Sequence, residues 1–145
     1  MSEPAKPINL LEWEEAVNKG LEEGSPCVLA SADKDGCPDI AFKGSMMIFD
    51  GDHIAWWERA LAEQIAQVAD NPNIVMLYRN GERRLNLRFY GKAEFHKEGP
   101  MRDAIRAKVI PQEAARTPNG EGFAVAVRVD RVRANANTVQ ERPGA

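Results

Sequence analysis

The sequence is short of the features that mark several common protein classes. Two cysteines in 145 residues cannot build the disulfide framework of a small secreted scaffold. Two histidines, His53 and His96, stand far apart with no second ligand at metal spacing, so no metal site is read from them. Basic residues do not outnumber acidic ones. The balance is 19 Lys and Arg against 22 Asp and Glu, a formal net charge of −3, without the basic excess of a general nucleic-acid binder. No apolar run approaches the ~18 residues of a transmembrane helix. The polar opening MSEPAKP lacks the basic and then apolar regions of a secretory signal. The patterns G-x-S-x-G, G-x-x-x-x-G-K and G-x-G-x-x-G are also absent. The expectation is a cytoplasmic chain with neither membrane nor nucleic acid as partner.

What is present suits one domain spanning residues 1–145, since 43% of the residues are hydrophobic, enough to bury a core. Residues 9–24 predict an amphipathic helix. Asn9 and Glu12 form a capping-box pair, Leu10, Trp13, Val17 and Leu21 recur at helical spacing, and Gly24 with Pro26 ends the run. The period then shortens. Cys27–Ala32, Cys37–Lys43, Ser45–Phe49 and His53–Trp57 read as four strands joined by Asp33–Gly36, Gly44 and Asp50–Asp52, an antiparallel meander. Cys27 and Cys37 lie at different distances from the hairpin loop and are not expected to pair.

Residues 58–70 return to period 3.6, with Leu61, Ile65 and Val68 on one face and Asn71-Pro72 as the stop. Strands follow over 74–78 and 84–96, around Asn80-Gly81 and with Gly91 as a bulge. Two short helices follow over 99–109 and 111–116. Residues 122–134 alternate strictly and form the last strand, before a loose tail over 142–145. About seven hairpin-linked strands with flanking helices make the fold mainly β, a small antiparallel barrel or a sandwich. Arg79, Arg83, Arg84 and Arg88 surround the Asn80-Gly81 turn. A charged strand edge explains them most simply, and they can also line the mouth of a site for an anionic substrate.

The order of these parts resembles the pyridoxamine 5'-phosphate oxidase-like family of FMN-binding split barrels. The carriers are VLASADKDGCPDIAF, MIFDGDHIAWWE, the helix ending DNPNIVMLY, and LRFYGKAEF, and together they span residues 26–134. The resemblance implies an antiparallel split β-barrel and a homodimer with two FMN clefts at the subunit interface. It also implies a flavin-dependent oxidoreductase acting on a small-molecule substrate. The C-terminal segment Thr138–Ala145 lacks the Trp-rich, basic ending of the vitamin-oxidising enzyme, so pyridoxamine phosphate is not the expected substrate. Non-catalytic binding of flavin or haem, or deazaflavin-dependent reduction, are the alternatives on the same fold.

Carried over residue by residue, Lys43, Gly44, Ser45 and Met46 match the stretch whose backbone meets the flavin ring. Gly44 permits close approach, and Lys43 or Ser45 can donate to the ring edge that gains charge on reduction. Trp56 and Trp57 point to opposite faces of their strand, so one is core and the other can wall the cleft. Arg59 opens the following helix where a phosphate would sit. Gln64 occupies the position of the family's usual basic residue and brings hydrogen bonds without charge. Glu58 and Glu63 would repel a phosphate if turned inward. Asn86, with Arg88 two residues on, matches the strand offered by the partner subunit. No catalytic residue is assigned, because the flavin itself would carry the redox chemistry.

Overall fold

Each strand presents one face to a common interior, and those over 47–48, 54–58 and 123–127 are buried on both faces. The computed structural model describes residues 3–144. Its strands are β1 (Cys27–Ala32), β2 (Pro38–Lys43), β3 (Met47–Ile48), β4 (His53–Glu58), β5 (Asn73–Asn80), β6 (Leu85–His96), β7 (Phe123–Ala134) and β8 (Asn137–Glu141). All pair antiparallel in one sheet of order β2-β1-β5-β6-β7-β4-β3, with β8 added on β7. The helices are α1 (Glu14–Asn18), preceded by a 3-10 turn over Leu10–Trp13, then α2 (Glu63–Asp70), α3 (Pro100–Lys108) and α4 (Pro111–Ala114). The sheet curls into a split antiparallel barrel.

The interior is closed at its openings by helices. Leu10, Trp13 and Val17 from the N-terminal turn and α1, and Ile65 and Val68 from α2, join Leu29, Ile54, Trp56, Met76, Tyr78, Phe89, Val125 and Val127 in one buried cluster. Trp13 meets Phe89 edge-on at 6.1 Å, a favoured aromatic geometry. A second cluster lies on the outside of the sheet. There Ile105 and Val109 of the α3 region cover Met47, Ala55, Trp57, Ala124 and Ala126. Burial pushes the Cys27 thiol up to about 12, and both cysteines are free.

Several elements differ from the sequence reading, each for a local reason. The helix expected over 9–24 stops at Asn18. The Asn18 amide leaves the helical surface to exchange hydrogen bonds with the backbone of Ile48, at 2.7 and 3.2 Å. Asn9 does cap the first turn through Leu11, but Glu12 does not reach back to it. Gln140 takes that role, accepting from the Asn9 amide N–H at 2.8 Å and donating to Glu12 at 3.1 Å. Gln140 belongs to β8, a strand beyond the one expected to be last. The tail is correspondingly anchored at Arg142, which donates to Val129 O and Asp52 at 2.9 and 3.0 Å, while Ala145 lies outside the described residues.

Two other boundaries also shift. The strand expected over 45–49 shortens to Met47–Ile48, and the helix expected over 58–70 begins at Glu63. The register shift near Gly91 places the extra residue, Asp130, on β7 rather than on β6. Gly91 is still required, because a Cβ there would press on the backbone of Arg128.

Candidate functional site at the split of the barrel

The sheet order begins at β2 and ends at β4–β3, and no ladder joins these two edges. They are held together by side chains instead. Ser45 is buried, and its hydroxyl donates to Trp57 O at 3.2 Å while accepting from the Trp57 N–H at 3.0 Å. One hydroxyl thus satisfies a donor and an acceptor that a neighbouring strand would otherwise pair. This also explains why strand geometry resumes only at Met47. Lys43 ends β2 and bonds Glu58, which ends β4, at 2.5 Å. Trp56 Nε1 donates to the same carboxylate oxygen at 2.8 Å. The Glu58 side chain is 8% exposed and that of Lys43 15%, so the pair sits at the rim of the interior. Gly122, at φ +100°, passes against Glu58 O, and a Cβ there would collide with it. Only glycine suits both demands.

A cleft of about 100 Å³ opens over this seam, lined by Phe42, Lys43, Gly44, Ser45, Trp57 and Arg59, with Glu113 and Arg116 on the opposite wall. That wall is set by the α3–α4 segment. Arg102 and Arg106 stack on the Trp57 ring at 4.9 and 4.8 Å, and the same guanidiniums donate to Gly120 O and to Thr117. Trp57 Nε1 donates to Glu121 O at 2.8 Å. So fixed, the segment brings the Glu113 carboxylate directly over Gly44, where a Cβ would collide with it. Arg116 lies 3.5 Å from Glu113.

Of the residues singled out in the sequence, Lys43, Gly44, Ser45, Trp57 and Arg59 therefore meet at one cleft. The two tryptophans do divide between faces. Trp56 is fully buried in the interior, and Trp57 lies under α3 on the outside. Met46 points into the core. Gln64 is buried and turned toward β1, donating to Ser31 Oγ at 3.1 Å, and its Oε1 is enclosed without a partner. Asn86 and Arg88 lie outside the cleft of their own protomer, on the outward face of β6 opposite Arg79 and Leu77. Glu113, Arg116, Arg102 and Arg106 were not singled out. Their helices are legible in the sequence, but no spacing shows that α4 returns to Gly44.

Among the described residues, no group of three or more His, Cys, Asp or Glu is placed to hold a metal ion, and no helix is long and apolar enough to cross a membrane.

A curled antiparallel sheet split between β2 and β4, with a cleft at the split, defines the split-barrel class. The sequence pattern described as pyridoxamine 5'-phosphate oxidase matches residues 13–136. The chain belongs to that family. Solved structures agree on the fold. HupZ of Group A Streptococcus superposes with a TM-score of 0.71 at 22% identity, covering 90% of this chain and 96% of that one. A putative pyridoxamine 5'-phosphate oxidase from Lactobacillus delbrueckii gives 0.63 at 21% identity, covering 81% and 90%. An FMN-binding protein from Syntrophomonas wolfei gives 0.65 at 13% identity, covering 88% of each chain. No curated protein matches the chain.

Proposed function

We propose that the protein is a homodimeric FMN-binding oxidoreductase acting on a small molecule, with the cofactor at the split of the barrel. The observation that carries this reading is the convergence of Lys43–Ser45 and Trp57–Arg59 on one cleft in a chain of this family. The cleft of a single protomer is too small for a cofactor, since ligand pockets run to roughly 300–1,000 Å³. A second subunit is the natural way to complete it. The outward faces of β1, β2 and β5 support one. Phe42 and Ile40 are 72% and 70% exposed and stand in register with Val28, Ala30, Val75 and Leu77. A contiguous apolar face of this kind marks an interface.

The ring side of the cleft suits a flavin through the exposed aromatic wall of Phe42, provided that the Glu113 carboxylate covering Gly44 moves aside. The phosphate side of the same protomer does not. Gln64 is turned away, Lys43 is held by Glu58, and Arg116 faces Glu113, so among the described residues Arg59 is the one cation of the cleft without a carboxylate within ion-pair reach. FMN would bring the redox chemistry, while the chain's own residues bind the ring and exclude water. Purified protein is expected to show oxidised-flavin absorption or saturable binding of added FMN. Arg59→Ala should weaken that binding by about 1.5–3 kcal/mol through loss of a charge-assisted contact. Unchanged affinity would remove Arg59 from the site, and a colourless protein that ignores FMN would overturn the flavin reading.

Glu58 and Gln64 favour a second reading, a binding module that uses the cleft without catalysis. Rapid reoxidation after reduction of the bound flavin by NAD(P)H supports the enzyme. A complex inert to reductant, or preference for haem or deazaflavin over FMN, supports the module.

A further inference from the structure

The outward surface of the sheet is ordered in cross-strand rows. In one, Phe42 pairs Val28, Val28 pairs Leu77, Leu77 pairs Arg88, and Arg88 pairs Arg133. In the next, Ile40 pairs Ala30, Ala30 pairs Val75, Val75 pairs Tyr90, and Tyr90 pairs Arg131. Each row spans five strands, about 19 Å at ~4.8 Å per strand. Both are apolar on β2, β1 and β5; the first is cationic on β6 and β7, and the second is aromatic on β6 and cationic on β7.

The cationic end is arranged at a disadvantage to the free protomer. Arg88 stands directly opposite Arg133, and Lys92 directly opposite Arg128, and like charges across a ladder destabilise it. Among the described residues, none of Arg88, Arg131 and Arg133 has a carboxylate within ion-pair reach, although all three are half-buried. Glu141 is opposite Arg131 in the register and still makes no ion pair with it. Neutral groups hold these guanidiniums in place instead. Arg131 lies 4.1 Å over the Tyr90 ring, Arg133 donates to Tyr90 Oη at 3.3 Å, and Arg88 donates to Asn135 O at 3.0 Å. Such anchors orient the planar forks without cancelling their charge. Beside Tyr90 lies a groove of about 280 Å³ lined by Ala30, Ala32, Asn71, Asn73 and Val75.

We propose that Arg88, Arg131 and Arg133, set around Tyr90, form a binding site for the phosphate of a small ligand held in the partner protomer's cleft. The site rests on the dimer read above. An isologous dimer whose two-fold axis runs through the middle of these rows lays the β2 end of each protomer against the β6–β7 end of the other. The cleft, which begins at Phe42 and Lys43, then receives across the interface positive charge beyond that of Arg59. Its own lysine is committed to Glu58, and position 64 carries no charge.

The phosphate can be that of FMN itself or that of a separate substrate, and the test separates the two. Full-length wild type, R131Q/R133Q and the charge-matched control K34Q/R84Q are titrated with FMN, riboflavin and inorganic pyrophosphate, with mass measured by light scattering. R131Q/R133Q is expected to remain a dimer and to lose at least tenfold in affinity for a phosphate-bearing probe, with riboflavin binding unchanged. A loss for FMN assigns the cofactor's phosphate, and a loss confined to pyrophosphate assigns a separate anion. Arg88→Gln, a milder change on the neighbouring strand, should shift the same probe in the same direction. If wild type ignores both flavins but loses pyrophosphate binding in the double variant, the flavin reading fails and the anion site stands. Equal affinities in all proteins, or equal losses in K34Q/R84Q, overturn the proposal. So does a short DNA duplex that binds wild type and not the double variant while FMN and pyrophosphate binding stay unchanged.

Discussion

The cations at the split of the barrel and those on the outward face of β6–β7 live under opposite conditions. At the split, Lys43 is matched to Glu58 and Arg116 to Glu113, and Trp56 adds a further donor to Glu58. On the outward face, arginine opposes arginine across the ladder, held by the ring and hydroxyl of Tyr90 and by a backbone carbonyl. Except at Arg59, the first arrangement is complete within one chain and serves its stability. The second is incomplete within one chain, which is what a surface awaiting a partner or a ligand looks like.

The contrast sharpens under substitution, beginning with the largest expected effect. Glu58→Ala strands the Lys43 ammonium and the Trp56 N–H in a nearly dry site. Removing one member of such a pair costs about 3–5 kcal/mol, to be read from urea denaturation, and a loss below about 1 kcal/mol would show that the pair is solvated after all. Arg88→Gln should do the reverse. Relief of the repulsion with Arg133 leaves stability unchanged or raises it by about 0.2–0.5 kcal/mol. A loss above about 1 kcal/mol would mean that the Arg88 guanidinium is structural and not held ready for an anion.

A neighbouring charge pair shows what ordinary structural use looks like. Arg83 grips Glu23 through two hydrogen bonds of 2.7 Å, tying the turn after β5 to the segment that follows α1. The hydrogen bond from Arg83 holds the Glu23 carboxyl below its ordinary range. This contribution is therefore present above the unfolded-state pKa of Glu23 and fades as pH falls through the lowered folded value. Arg83 stands near Arg84 and Arg88 in sequence, yet among the described residues it alone of the three has a carboxylate partner.

Much of the fold was legible because periodicity and turn chemistry are local. The strands around Asp33–Gly36 and Asn80-Gly81, and the Asn71-Pro72 stop, need only neighbouring residues to define them. β8 escaped notice because its anchor, Gln140, bonds Asn9 and Glu12 from the other end of the chain. The short α1 escaped because Asn18 docks on Ile48. At the site, Lys43–Ser45, Trp57 and Arg59 could be picked out by type and spacing. That Lys43 meets Glu58, that Gln64 turns toward Ser31, and that Glu113 covers Gly44 are consequences of curling the sheet, and no window of sequence contains them. The row from Phe42 to Arg133 is of the same kind, since its five members come from five strands and align only through register.

The most direct test is the mass of the protein in solution, because both the cleft and the arginine face depend on a second copy. Light scattering on the wild type should give twice the 16.1 kDa of one chain. Ile40→Lys, which places a cation on the β2 edge of the apolar face, against the arginine end of the partner and at a position exposed in the protomer, should give a folded monomer. A wild type that stays at the mass of one chain at concentrations of tens of micromolar would contradict a site built by two protomers, as would an Ile40→Lys variant that remains a dimer.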